Sequence, residues 1–221
     1  MWHVKGAGEL TAGAPLLKCG GQQPRKGSVP PLTLDLATRS GLPDDLRYLV
    51  EKYPREVWGA HANLGEMARF WLQRHDMFRE LGTMLGEATG AYRSGATGAD
   101  EFRRFTPRRL QFFLSQLQTH HHIEDHHYFP VFVRAEAGLA RGFALLDSDH
   151  HVIDGQLVAV AEAANGLLGE MAATADARPS ADAYAHASER LIRHLARHLE
   201  DEEDLIVPVI LDRGEGALGL Y

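Results

Sequence analysis

The chain has 221 residues, 44% of them hydrophobic and 24% charged, a balance that supports one ordinary folded domain and excludes a wholly disordered chain. The net charge is −7, the wrong sign for a nucleic-acid-binding surface. Thirteen histidines stand against one cysteine, which excludes an internal disulfide framework and any zinc site built on several thiolates.

Residues 1–31 hold six glycines and four prolines with no periodicity, and are expected as a flexible tail. Glu9 and the glycines around it interrupt any apolar core of a signal peptide. No apolar run approaches the ~18 residues that a membrane span needs. With a single, unpaired cysteine, the expected location is the cytoplasm. Residues 32–62 are expected as a short helix over Pro43–Lys52, ended by Pro54, and a connecting segment. Asn63 with Glu66 three residues later forms a capping-box pattern.

From there the apolar spacing is helical. Leu64, Met67, Trp71, Phe78 and Leu85 predict a first long helix over about 64–92, broken at Ser94–Gly98. Thr106-Pro107 is a good helix start, and Leu110, Phe113, Leu114 and Leu117 carry a second helix to about Phe129. Phe143, Leu146, Ile153, Leu157, Val160 and Leu167 mark a third over about 139–172. Tyr184, Leu191, Leu195 and Leu205 mark a fourth from Ser180 to about Asp204. No segment alternates like a half-buried strand. The predicted fold is all-α, an up-down four-helix bundle over 63–212, with 213–221 as a tail.

Each predicted helix carries a histidine in its apolar stripe. His75 lies between Trp71 and Phe78, His150 between Leu146 and Ile153, and His198 between Leu195 and Leu205. On the second helix an internal near-repeat makes the choice. His120-x-x-x-Glu124 followed by Pro130 matches His198-x-x-x-Glu202 followed by Pro208. Residues four apart share a helix face, so each pair can turn an imidazole and a carboxylate to one ion. Two such pairs plus His75 and His150 place four imidazoles and two carboxylates in one core. Two buried carboxylates are costly without a cation, which is the reason to infer metal. Mixed imidazole and carboxylate donors suit Fe, Mn or Zn. Six side chains exceed what one tetrahedral zinc takes and suit two six-coordinate ions, with about one position on each left open.

The remaining candidates have plainer readings. His121, His122, His126 and His127 are expected as outer partners of the ligand imidazoles or as surface residues. His151 is about 100° off the stripe, and His194, one turn before His198, is the most plausible extra ligand. His61 is expected on a loop. Trp71 and Phe78 are read as packing that keeps water out, and Tyr128 as a core aromatic within reach of the pocket. Asp201, Glu203 and Asp204 are read as a solvated face, and Arg103, Arg104, Arg108 and Arg109 as a surface patch. Cys19 carries no argument.

These pieces together resemble the haemerythrin-like, or HHE cation-binding, domain proteins. The matching segments are Arg74-His75-Asp76, His120-His121-His122-Ile123-Glu124-Asp125 with Phe129-Pro130, Asp149-His150-His151, and His198-x-x-x-Glu202-Glu203 with Pro208. The resemblance covers about residues 40–212. It implies a four-helix bundle with a non-haem di-iron centre, its metal ligands His75, His120, Glu124, His150, His198 and Glu202. The oxygen-carrying haemerythrins use two histidines four apart on the third helix, where this chain has His150 and Asp154. They place His and Asp five apart on the last helix, where this chain has His198 and Glu202 four apart. The resemblance is therefore to the four-His, two-Glu type, and away from reversible O2 carriage. It implies a protein that binds or reacts with O2, NO or peroxide. The alternatives are a non-catalytic iron or oxygen/NO sensing or storage module, or iron–sulfur cluster repair under nitrosative stress. The tail's single cysteine departs from the paired motif of the repair proteins. Nothing in the sequence decides between an enzyme and a binder. The expected partners are a diatomic ligand or peroxide, with no nucleic acid and no membrane.

Overall fold

The computed structural model describes residues 34–174 and 177–220; the expected tail 1–31, with Cys19 and His3, lies outside them. Leu46 anchors a 3₁₀ turn, Asp44–Leu46. Two short helices follow, α1 (Tyr48–Lys52) and α2 (Arg55–Trp58). The long helices are α3 (Glu66–Ser94) and α4 (Ala99–Ile123), then, after a π-helical turn at Glu124–Tyr128 and α5 (Phe129–Ala135), α6 (Ala140–Ala173) and α7 (Arg178–Arg213). Helix α8 (Glu215–Leu218) closes the described chain. There is no strand among the described residues.

Helix α3 packs on α4 and α7, and α6 packs on the same two, so the four long helices turn their apolar stripes to one interior. That interior has two apolar halves. Phe78, Leu85, Phe113, Leu117, Ile153 and Leu195 belong to one. Trp71, Phe129, Phe143, Leu146 and Leu205 belong to the other. The chain crosses from one half to the other at a histidine on each long helix, within α3, α6 and α7 and, for α4, on its way into α5: Trp71–His75–Phe78, Leu117–His120–Phe129, Leu146–His150–Ile153 and Leu195–His198–Leu205. The buried polar residues thus form a layer between two apolar ones. Each fully buried leucine or phenylalanine contributes about 1.5–3 kcal/mol, and both halves must pack for the layer to close.

The element boundaries differ from expectation in three places. Helix α4 begins at Ala99, well before Thr106-Pro107. Asp100 and Glu101 stand in its first turn, where the helix dipole favours acids, and Phe102 is buried; Pro107 lies inside the helix. Helix α7 continues through Pro208 to Arg213. Every residue from Leu205 to Leu211 is buried, and that packing outweighs the roughly 3 kcal/mol that an interior proline costs. Finally, Asn63 does not cap α3. Its Nδ2 donates to the Leu211 carbonyl at 2.7 Å. The Ala68 N–H donates instead to Glu215 Oε1 at 2.7 Å, and a Cβ on Gly65 would lie 2.0 Å from Glu215 Oε2. Residues 214–220, expected as part of a tail, therefore belong to the fold: Glu215 supplies the cap, and Leu220 is buried.

The segment before α3 is built in as well. Leu42, Leu46, Leu49, Val50 and Trp58 join the second apolar half, and the Trp58 Nε1–H donates to the Tyr53 carbonyl at 2.8 Å.

Glu215→Ala should cost about 1 kcal/mol of stability, the usual worth of a helix N-cap. Glu66→Ala, which removes only the expected capping-box partner, should change it by less than about 0.5 kcal/mol. Urea denaturation of the two variants measures both, and the reverse order would reject the remote cap.

Candidate metal centre

The structure brings all six expected residues together. His75 Nε2 and His120 Nε2 lie 3.1 Å apart, and His150 Nε2 and His198 Nε2 also lie 3.1 Å apart. The two carboxylates stand between these pairs. Glu124 places Oε1 3.0 Å from His120 Nε2 and Oε2 3.8 Å from His150 Nε2. Glu202 Oε2 is 3.5 Å from His75 Nε2 and 3.5 Å from His198 Nε2. Each carboxylate therefore faces both histidine pairs. Donor atoms of His75, His120, Glu124 and Glu202 all fall within 4.8 Å of one another.

The electrostatics of this layer call for positive charge. Glu124 and Glu202 are fully buried. Both oxygens of Glu202, and Oε2 of Glu124, lack any hydrogen-bond partner. Burial pushes the Glu202 carboxyl well above the ordinary range, and the neighbouring Glu124 charge adds to the rise. Burial also acts on Glu124, but the His120, His150 and His75 imidazoles outweigh it and hold that carboxyl at about 2. Burial lowers His75, and it lowers His198 to about 4 against the pull of Asp149. These two imidazoles are thus neutral at pH 7. Buried polar atoms are normally paired, and orphaned carboxylate oxygens beside neutral imidazoles fit a cation. The donor set suits Fe, Mn or Zn.

Three of the four imidazoles are oriented from behind by carboxylates. The Nδ1–H of His75 donates to Glu203 Oε1 at 3.0 Å, that of His150 to Asp125 Oδ1 at 2.7 Å, and that of His198 to Asp149 Oδ2 at 3.3 Å. A proton held on Nδ1 leaves the Nε2 lone pair facing inward. Two of these carboxylates are held in turn by arginines: Glu203 by Arg79 at 2.6 Å and Arg55 at 2.7 Å, and Asp149 by Arg39 through Nη1 and Nη2. The reading of Asp201 and Glu203 as a solvated face is thus corrected. Both are buried, because the segment carrying Arg39 and Arg55 lies over that side of α7. Asp204 is partly buried and pairs with Arg55 at 2.8 Å. Trp71 does more than pack, since its Nε1–H donates to Glu124 Oε1 at 2.6 Å.

The π turn places the Glu124–Asp125 pair. The Phe129 N–H reaches back five residues to the Glu124 carbonyl, and single π turns of this kind recur at functional sites. Glu124 faces the histidine pairs while Asp125, its neighbour, holds His150. Pro130 follows directly. Pro208 stands at the same spacing in α7, yet that helix is uninterrupted, so proline alone does not produce the turn.

His121, expected as an outer partner or a surface residue, lies inside the layer. It is buried, and neither ring nitrogen has a hydrogen-bond partner. Its ring stacks on His150 with centroids 4.0 Å apart and planes at 10°. It offers a nitrogen within 4.8 Å of donor atoms on His150 and His198. Burial, reinforced by the surrounding histidines, holds it well below the ordinary imidazole range. One signal was available, because His121 follows Leu114 by seven and Leu117 by four. A cleft of about 440 Å³, lined by His121, His150, Asp125, His151 and Asp154, opens onto this corner of the layer.

The other histidines stay outside the layer. His151 is exposed and bonded to the Asp147 carbonyl at 2.8 Å. His194 pairs with Gln156 Nε2 at 2.6 Å and belongs to neither donor group. His122 and His126 are exposed and lie 4.2 Å apart, ring to ring; His127 is exposed. His61, before α3, meets the Tyr53 ring edge-on at 5.5 Å. Tyr128 packs against the second apolar half. Arg103, Arg104, Arg108 and Arg109 are exposed.

A family model described as Hemerythrin HHE cation binding domain matches residues 66–210. No curated protein and no solved structure matches the chain significantly. No helix among the described residues is long and apolar enough to cross a membrane.

Glu203 gives a pH test of the orienting network. Burial raises its carboxyl, but the bond from His75 and the guanidiniums of Arg55 and Arg79 outweigh this and hold it at about 2, against an ordinary value of 4.5. Its stabilising contribution is therefore complete above about pH 4.5 and is lost as the pH falls toward 2. Metal-free Glu203→Gln should be less stable than the natural chain at pH 7, with the gap shrinking at pH 3. A gap of equal size at both pH values in urea denaturation would reject the assignment.

Proposed function

Because this chain belongs to the haemerythrin HHE cation-binding family, we propose that it folds as an up-down four-helix bundle around two non-haem iron ions and binds or reacts with O2, NO or peroxide. The observation that carries the reading is the symmetry of the buried layer: two histidine pairs, each with its Nε2 atoms 3.1 Å apart, and two carboxylates that face both. His75 and His120 would hold one ion and His150 and His198 the other, with Glu124 and Glu202 shared. Iron held there supplies open coordination positions and electrons for diatomic or peroxide chemistry. Manganese and zinc suit the same donors.

The chain's own residues do the rest. Glu203, Asp125 and Asp149 fix the Nδ1 protons of His75, His150 and His198, so the inward lone pairs stay aimed. Trp71 and Phe78 exclude water on the α3 side, while Trp71 also holds Glu124. On the opposite side the cleft beside His121 gives a small molecule its approach. The stacked, unpartnered imidazole of His121 is placed to offer such a molecule a hydrogen bond. We assign the protein to the cytoplasm on its cysteine usage, with no nucleic acid or membrane as partner. A catalytic role and a sensing or storage role both fit this site.

Protein produced with iron and kept anaerobic should carry about two iron atoms per chain. Glu124→Ala and Glu202→Ala should each lose about one of them. Two irons retained in both variants would sink the shared-carboxylate site. Repeated peroxide additions then separate the two roles: sustained consumption identifies an enzyme, whereas a single stable spectral change identifies a binder.

A further inference from the structure

Arg39 lies outside the family-matched residues 66–210, on a segment that the motif reading leaves without a function. Its side chain is only 1% exposed. Nη1 donates to Asp149 Oδ1 at 2.7 Å and more weakly to the Leu34 carbonyl at 3.4 Å, Nη2 donates to Asp149 Oδ2, and Nε donates to Asp201 Oδ2 at 2.7 Å. The guanidinium therefore ties α6, through Asp149, to α7, through Asp201. Asp149 Oδ2 is also the atom that accepts the His198 Nδ1 proton. Asp201 directly precedes Glu202 and takes a second arginine, Arg197, at 2.7 Å. Two buried acids and two arginines thus balance, immediately behind one histidine and one shared carboxylate.

We propose that Arg39 is a positioning residue of the metal centre, acting through Asp149 on His198, so that the segment before the HHE domain completes the site. A point charge would not do the same work. The planar fork engages both oxygens of Asp149 while Nε reaches Asp201, and only arginine has that geometry. With the fork in place, both oxygens of Asp149 are fixed in position and Oδ2 faces His198. Without it, a buried acid loses its counter-charge and is free to rotate, and the His198 ring loses its rear anchor. Arg55 plays a lesser counterpart on the other histidine pair. It holds Glu203, which anchors His75, but it is 43% exposed and Arg79 shares the load. Asp149 on α6 and Glu203 on α7, the carboxylates behind His198 and His75, are thus both fastened by the preceding segment, while Asp125, behind His150, stands at the open cleft.

The proposal rests on the two-ion reading, and the test separates the two. Full-length chain, stripped of metal, is titrated anaerobically with Fe(II) by calorimetry. The natural chain should take about two equivalents. Arg39→Met should weaken one of them 10–100-fold, the usual effect of losing an outer partner to a ligand imidazole, and leave the other within about threefold. Arg39→Lys should fall between. Asp149→Asn should reproduce the loss, and the double variant should add nothing to it. Arg55→Met should spare the equivalent that Arg39→Met weakens. Equal weakening of both equivalents, no weakening, or additive losses would each overturn the proposal, because a merely structural strap loosens the whole layer. Should Arg39→Met fail to fold, Arg39→Lys with Asp149→Asn carries the same comparison. A natural chain that takes fewer than two equivalents would overturn the two-ion reading and this proposal with it.

Discussion

Two carboxylates with no exposed surface stand side by side among buried imidazoles, and three of their four oxygens have no protein partner. Desolvation on that scale is among the largest penalties a fold can carry. Much of the remaining architecture is intelligible as its management. The polar layer lies between two apolar halves, which keep Glu124 and Glu202 out of contact with solvent. The imidazoles are pinned from behind, so they cannot turn away. The arginines supply charge balance to the outer acids but do not touch Glu124 or Glu202. What those two carboxylates require is left to an ion.

The pinning is uneven around the layer. On the α3 and α7 side, His75 and His198 are backed by acids that arginines hold, under a lid formed by residues 34–58. On the α4 and α6 side, His150 is backed by Asp125 alone, and His121 stands beside it at the mouth of the cleft. A pinned wall facing an accessible one is the arrangement that the proposed function requires, since such a site would hold its cations and still admit a small molecule. The pinned wall belongs partly to chain outside the matched domain.

How much of this is legible in the sequence follows from what periodicity reports. Phase along a helix shows which residues share a face, and that suffices to select His75, His120, Glu124, His150, His198 and Glu202. The near-repeat on the second and fourth helices resolves the run of three histidines. Phase does not report which distant segment covers a face. Arg39 meets Asp149 across 110 residues, and Arg55 meets Glu203 across 148; hence the misreading of Asp201 and Glu203 as solvated. Glu215 capping α3 is of the same kind, since a remote acid replaces the local Asn63. His121 escapes the phase argument for a different reason: adjacent histidines on one helix read as alternatives, whereas the ~100° between neighbours on α4 turns His120 toward His75 and His121 toward His150.

The π turn also bears on length. An α-helical register rotates about 100° per residue, and the wide turn at Glu124–Tyr128 absorbs one residue more than an α-helix would. Deleting one residue there would return the chain to regular α-helical winding and leave α5, with Phe129 and Phe132, close to its present phase, whereas one further residue would exceed what the wide turn absorbs and swing those phenylalanines about 100° out of the apolar half they fill. Changes of length are therefore one-sided at this point, whereas the solvent-facing Ser94–Gly98 connection can lengthen or shorten with little effect on the interior. Among natural variants of this chain, single-residue deletions should outnumber insertions between Asp125 and Tyr128, and changes of either sign should accumulate at the connections.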